Sequence, residues 1–231
     1  MSKVARLTPR LAAFVTNLLI LAALAAQAWG AHASLRPHLR FGISRTHPDM
    51  LVMVWKGEIR APMSDEISAA FELNKDRIRK VEFKIDSGGG SVKEGEKVIA
   101  VLQQIKKTHR LATVVAAGKR CGSMCVFVYV QGEKRLAAPA SLWLFHEVSI
   151  VNRKTKKISR LDREAWERLV DQYWVPAGVN PTWIAEVKTH TNQTDYWQSG
   201  QSLLQDGSNI ILQPLSDEYR RLLTPARAAG Q

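Results

Sequence analysis

The sequence predicts an α/β domain built on parallel strands. Apolar, β-branched runs alternate with segments of helical periodicity. A glycine run, Gly88-Gly89-Gly90, falls between one such strand and one such helix. A composition of 45% hydrophobic and 23% charged residues, over 231 residues, is that of a globular chain with a sizeable core.

The elements follow in order. Met50 to Ile59 reads as a strand. A helix begins at Ser64, with Asp65 and Glu66 in its first turn where they complement the dipole, and is expected to run to about Arg79. Val81 to Ile85 is the next strand. Ser91, with Glu94 three residues on, has capping-box spacing, and Val98, Ile99, Leu102 and Ile105 give the helix behind it an apolar face. Thr113 to Ala116 reads as a short buried strand, Ser123 to Gln131 as a buried helix and Ser141 to Phe145 as a strand. Residues 152–190 read as a helical insertion. It has a basic loop or hairpin tip at 153–157, a helix over Arg160 to Tyr173, breaks at Pro176, Gly178 and Pro181, and a resumed helix over Trp183 to Thr189. Asp195 to Gln205 is expected to be helical, and Ile210 to Leu212 a last strand.

The N-terminus reads as an export signal. Lys3, Arg6 and Arg10 precede an apolar segment at 11–27, and Ala26-Gln27-Ala28 and Ala31-His32-Ala33 are small-residue cleavage patterns. Residues 1–28, or 1–33, are thus expected to be removed, with the mature chain starting at Trp29 or Ser34 and residues 34–231 forming one domain. The alternative is a retained anchor, with membrane association through residues 11–29, because counting all of them nearly spans a bilayer. Either reading puts the domain in the periplasm or outside the cell. The formal charge of +12 rests on scattered Lys and Arg with no nucleic-acid module, so no nucleic-acid partner is expected.

Three segments bear chemistry. Asp86 to Ser91 lets backbone N–H groups approach a ligand without a side chain between. In Cys121-Gly122-Ser123-Met124-Cys125, a serine after glycine and before an apolar helix is placed as a nucleophile is, or as a plain N-cap is. Leu144-Phe145-His146 ends an apolar strand in a histidine that serves as a base only within reach of a nucleophile. Cys121 and Cys125 either form a disulfide, which an oxidising compartment favours, or pack as two small buried residues; two ligands four apart make no metal site.

Together the segments resemble the Clp-type serine peptidases and their crotonase-fold relatives. SGGGSV (Ser87 to Val92) is similar to the family's glycine segment, GSM (Gly122 to Met124) to its nucleophile motif and LFH (Leu144 to His146) to its strand ending in the base. Thr194-Asp195 before YWQSGQSLLQDG is similar to its acid-bearing turn. The resemblance implies a Clp/crotonase-type spiral of ββα units, Ser123 as nucleophile, His146 as base and Asp195 as the orienting acid. It implies an oxyanion hole at the N–H groups of Gly90 and Met124, no cofactor, a peptide or protein substrate, and self-association into rings. Trp166, Tyr173, Trp174 and Trp183 are expected to offer aromatic surface for that assembly. Asp206 is the alternative orienter, and Ser87 and Ser91 are the next nucleophile candidates. Gly88 departs from the family's proline, and no loops that dock an unfoldase ring are evident, so ATP-driven proteolysis is not expected. The sequence more closely resembles the exported bacterial Clp-like proteins with a Cys-x-Ser-x-Cys site. The competing reading is an inactive Clp-like fold that binds peptide or a protein partner. Acyl-CoA chemistry is disfavoured, since CoA is not expected outside the cytoplasm.

Overall fold

A computed structural model describes residues 39–152, 154, 155 and 157–216. The expected signal or anchor lies outside the described residues. Among those described, no helix is long and apolar enough to cross a membrane.

Five parallel or antiparallel ladders join β1 (Leu39–Ile43), β2 (Met50–Lys56), β3 (Lys80–Asp86), β4 (Arg110–Val115), β6 (Lys134–Ala137) and β11 (Gln213–Pro214) into one sheet, in the order β1-β2-β3-β4-β6-β11. Only β1 runs antiparallel to its neighbour. A second sheet, in the order β10-β7-β5, pairs β5 (Arg120–Gly122) parallel to β7 (Leu142–Phe145), and β7 antiparallel to β10 (Tyr196–Ser199). Ser87, just past the end of β3, bridges to Cys121 of β5 and stitches the two sheets together.

Alternation along the parallel strands sends Leu51, Met53, Trp55, Phe83 and Ile85 to one face, all nearly or fully buried. Helix α1 (Met63–Glu72), helix α2 (Val92–Lys106) and helix α3 (Met124–Tyr129) supply the facing residues, among them Ile67, Val98, Leu102 and Val126. The expected capping box at α2 is half realised. Ser91 Oγ accepts from the Glu94 N–H at 3.2 Å, but the Glu94 carboxylate turns away to accept from the Ser64 N–H in the first turn of α1 at 2.8 Å. One buried glutamate thereby satisfies a donor of the neighbouring helix.

Several sequence expectations are corrected. Helix α1 stops at Glu72 rather than Arg79, because the Asn74 side chain donates to the Ala70 carbonyl and diverts the chain into a 3₁₀ turn at Lys75–Arg77. Residues 152–190 open as a β-hairpin, β8 (Val148–Val151) against β9 (Ile158–Asp162), and the helix α4 (Arg163–Leu169) starts only where Asp162 caps it by accepting from the Ala165 N–H. A π turn at Val170–Trp174 extends α4, and α5 (Pro181–His190) follows. Residues 196–199 are strand β10, not helix, since Tyr196 and Trp197 find an open edge of β7 to pair with; helix α6 (Gly200–Gln205) begins after Ser199, which caps it. The final strand is Gln213–Pro214, beyond the expected Ile210 to Leu212, because Ile210 and Ile211 are drawn into the core. Trp166, Tyr173, Trp174 and Trp183 are not surface. They pack beneath β7, Phe145 lying 5.3 Å from Trp183 and Trp174 stacking on Phe127 at 4.9 Å, with at most 7% of any of them exposed.

Candidate active site

The site forms where strand ends meet. Main-chain bonds from Ser87 N–H to the Arg120 carbonyl (2.9 Å), and from Gly122 N–H to the Ser87 carbonyl (3.0 Å), hold the glycine run beside β5. Parallel pairing of Gly122 with Leu144, continued by the Ser123 N–H donating to the Leu144 carbonyl at 2.8 Å, brings Ser123 and His146 out at the same edge. The β10–β7 ladder ends at Tyr196 opposite Phe145, so the next position on each strand is Asp195 and His146. Four segments distant in sequence thus converge on one edge of the sheets.

Ser123 has φ 53° and ψ −127°, a left-handed backbone that a non-glycine residue adopts only under constraint. It precedes α3 as a cap would, yet its side chain makes no capping bond and its Oγ has no hydrogen-bond partner among the described residues. The N-cap reading is therefore excluded. Ser87 and Ser91 are in the opposite condition. Ser87 is buried and its hydroxyl exchanges bonds with the Gly89 main chain, and Ser91 Oγ is spent on the α2 cap.

Gly89 touches the serine. A Cβ there would stand 2.7 Å from Ser123 Cβ, 2.8 Å from the Gly122 carbonyl and 3.3 Å from Ser123 Oγ, so only glycine lets the two segments close. Gly95, one turn into α2, serves the same site from behind, since any side chain would collide with that of Met124. Neither the Gly90 nor the Met124 N–H donates to another group among the described residues. A cleft of about 360 Å³ opens over the glycine run, lined by Lys56, Glu58, Asp86, Gly88, Gly90 and Arg120 among others. A larger cavity, about 590 Å³, lies at the far edge around the first residues of the parallel strands (Met50, Lys80, Arg110, Lys134).

His146 is half-buried, and its Nδ1 bonds the main-chain carbonyl of Glu147 at 2.5 Å. Among the described residues no hydrogen bond joins His146 to Asp195, whose carboxylate is exposed. Tyr196 beside it stacks on His190 at 4.5 Å; burial first, and Glu186 second, hold its phenol above the ordinary tyrosine range, so it is neutral at physiological pH. Asp206 is committed elsewhere, accepting from Trp183 Nε1 at 2.8 Å and the Ser208 N–H at 2.9 Å. Cys121 and Cys125 form a disulfide, both fully buried, so that a five-residue covalent ring encloses Ser123. Among the described residues no group of three or more His, Cys, Asp or Glu side chains is placed to share a metal ion.

Sequence reasoning missed Gly89 as the residue in contact with Ser123, and the carbonyl of Glu147 as a partner of His146. The middle position of the glycine run hinted at the first. A main-chain acceptor leaves no sequence signal for the second.

The model of the Clp protease family matches residues 46–169, more than half of the chain. The chain belongs to the Clp protease family. Among solved structures, a point mutant of ClpP1 from Listeria monocytogenes matches with a TM-score of 0.56 at 17% identity, over 75% of this chain and 94% of that one. At that identity the likeness shows the Clp-type α/β fold. No curated protein matches the chain. The family match spans Ser123, His146 and the glycine run, and stops before Asp195.

Proposed function

We propose that this Clp family member is an exported serine hydrolase that cleaves peptides through an acyl-enzyme, without ATP. The observation that carries the reading is the uncommitted Oγ of Ser123 on a strained, left-handed backbone, at the same edge as His146. His146 takes the hydroxyl proton as Oγ attacks the scissile carbonyl, then returns it to the leaving amine; water completes the second half by the same route. With its proton on Nδ1 and held by the Glu147 carbonyl, the ring keeps the Nε2 lone pair for that transfer. Asp195, next in register opposite His146, is proposed as the acid that stabilises the imidazolium. The N–H groups of Gly90 and Met124, free of other acceptors among the described residues, are proposed to hold the oxyanion.

Export fits both the N-terminal pattern and a disulfide at the nucleophile. Self-association is proposed through exposed apolar side chains, Ile150 and Ile158 of the hairpin and Trp197 of β10, in place of the buried tryptophans. A single monomer peak in sedimentation across micromolar concentrations would refute that assembly.

The reading is tested by intact mass of the purified chain with and without a fluorophosphonate probe. One adduct, mapped to Ser123, is expected. A wild-type chain that never labels would favour a binding role for an inactive fold, and an adduct on Ser87 or Ser91 would move the nucleophile.

A further inference from the structure

We propose that Arg163 is the positioning residue of this site, one guanidinium tying the strand that carries the base to the turn that delivers Asp195. Its role in catalysis rests on the hydrolase reading above; its effect on the histidine does not.

The β8–β9 hairpin sets the geometry. Val148 pairs with Asp162 at one end of that antiparallel ladder, so Glu147 and Arg163 stand across from each other just beyond that same end. Arg163 Nη1 donates to Glu147 Oε1 at 3.3 Å, and the same nitrogen lies 3.5 Å from Asn192 Oδ1. Its Nε donates to Glu167 Oε1 at 3.2 Å, which anchors the guanidinium to α4. Glu147 is 4% exposed, and Arg163 is its ion-pair partner among the described residues. A buried carboxylate that loses its cation moves toward water. Here the carboxylate belongs to the residue whose carbonyl holds His146 Nδ1. Release of Glu147 therefore frees the imidazole from its fixed tautomer. Asn192 lies in the turn that ends at Asp195, so release of that contact also loosens the approach of the acid. Both groups that can hold Nδ1, the Glu147 carbonyl and the Asp195 carboxylate, hang on one side chain. Arg is suited to this because its planar guanidinium holds its donors in a fixed geometry, which a flexible ammonium does not.

The test uses the full chain, ¹⁵N-labelled, as wild type, Arg163→Ala, Arg163→Lys and Asn192→Ala. Two readouts are taken: the His146 ring ¹⁵N shifts, which report the tautomer, and the rate of fluorophosphonate labelling. The wild type is expected to show the proton on Nδ1. In Arg163→Ala that tautomer is lost, labelling slows about 100-fold, and millimolar guanidinium restores part of it. In Arg163→Lys labelling slows about 10-fold, and in Asn192→Ala it slows while the tautomer stays. If Arg163→Ala does not fold, Arg163→Lys carries the same comparison at unchanged melting temperature. Wild-type tautomer and wild-type labelling in both Arg163 variants would overturn the proposal. A wild type that never labels, yet whose tautomer depends on Arg163, would sink the hydrolase reading and leave this positioning role standing.

Discussion

Ser91 and Ser123 occupy the same local sequence. Each follows a glycine and precedes a helix whose first residue is apolar. Ser91 has φ −63°, and its hydroxyl is spent satisfying the Glu94 N–H. Ser123 has φ +53°, and its hydroxyl bonds nothing among the described residues. The difference lies in what surrounds the two turns. Ser91 N–H is held by the Ile59 carbonyl in a bridge that leaves an ordinary extended backbone before the helix. Ser123 is held from three sides: by the Leu144 carbonyl on its N–H, by Gly89 against its Cβ, and by the disulfide closing around it. A serine at a helix start is a cap when the chain is free to relax, and its hydroxyl is left uncommitted when the fold withholds that relaxation.

The sharpest way to break this comparison is to remove each hydroxyl. Ser123→Ala should abolish fluorophosphonate labelling while the circular dichroism spectrum and melting temperature stay native; surviving adduct would void the contrast. The two acids give a parallel pair. Asp195→Asn should slow labelling roughly 10⁴-fold, as loss of the orienting acid does in other triads. Asp206→Asn, which acts on Trp183 and the Ser208 turn, should leave labelling near wild type and cost about 1 kcal/mol in urea unfolding. Equal losses in the two would remove Asp195 from the site.

Gly89→Ala probes the contact that confines Ser123. With φ +110° and a Cβ forced to 2.7 Å from Ser123 Cβ, it should cost about 1–3 kcal/mol and shift the serine enough to slow labelling 10-fold or more. Unchanged labelling kinetics would show that Gly89 does not set the serine's position. The paired replacement Cys121→Ser with Cys125→Ser opens the covalent ring. For a loop of five residues the chain-entropy estimate is about 2 kcal/mol, read as a drop in unfolding midpoint, with slower labelling as the turn relaxes toward a cap. Alkylation and mass measurement of the non-reduced wild type should find no free thiol. The smallest effect is expected at the other serine. Ser91→Ala should cost about 1 kcal/mol of stability through the lost cap and leave labelling intact.

The sequence alone determined the alternation of strands and helices, the glycine run between β3 and α2, the Ser91 cap and the identity of the segments that meet at the site. These are written in short-range periodicity and in residues whose backbone demands are intrinsic, glycine and serine above all. Tertiary structure decided the rest. Residues 196–199 carry no strand signal of their own until β7 offers an edge, and the tryptophans of 166–183 read as surface until Phe145 sits above them. Whether Ser123 caps its helix was open in the sequence, because its φ is set by Leu144, Gly89 and Cys125, none of them specified by the serine's own neighbourhood as a constraint. The partner of His146 Nδ1 was beyond reach for a simpler reason. Every residue has a main-chain carbonyl, and only the path of β7 into the hairpin, pinned by Arg163 sixteen residues away, aims that of Glu147 at the ring.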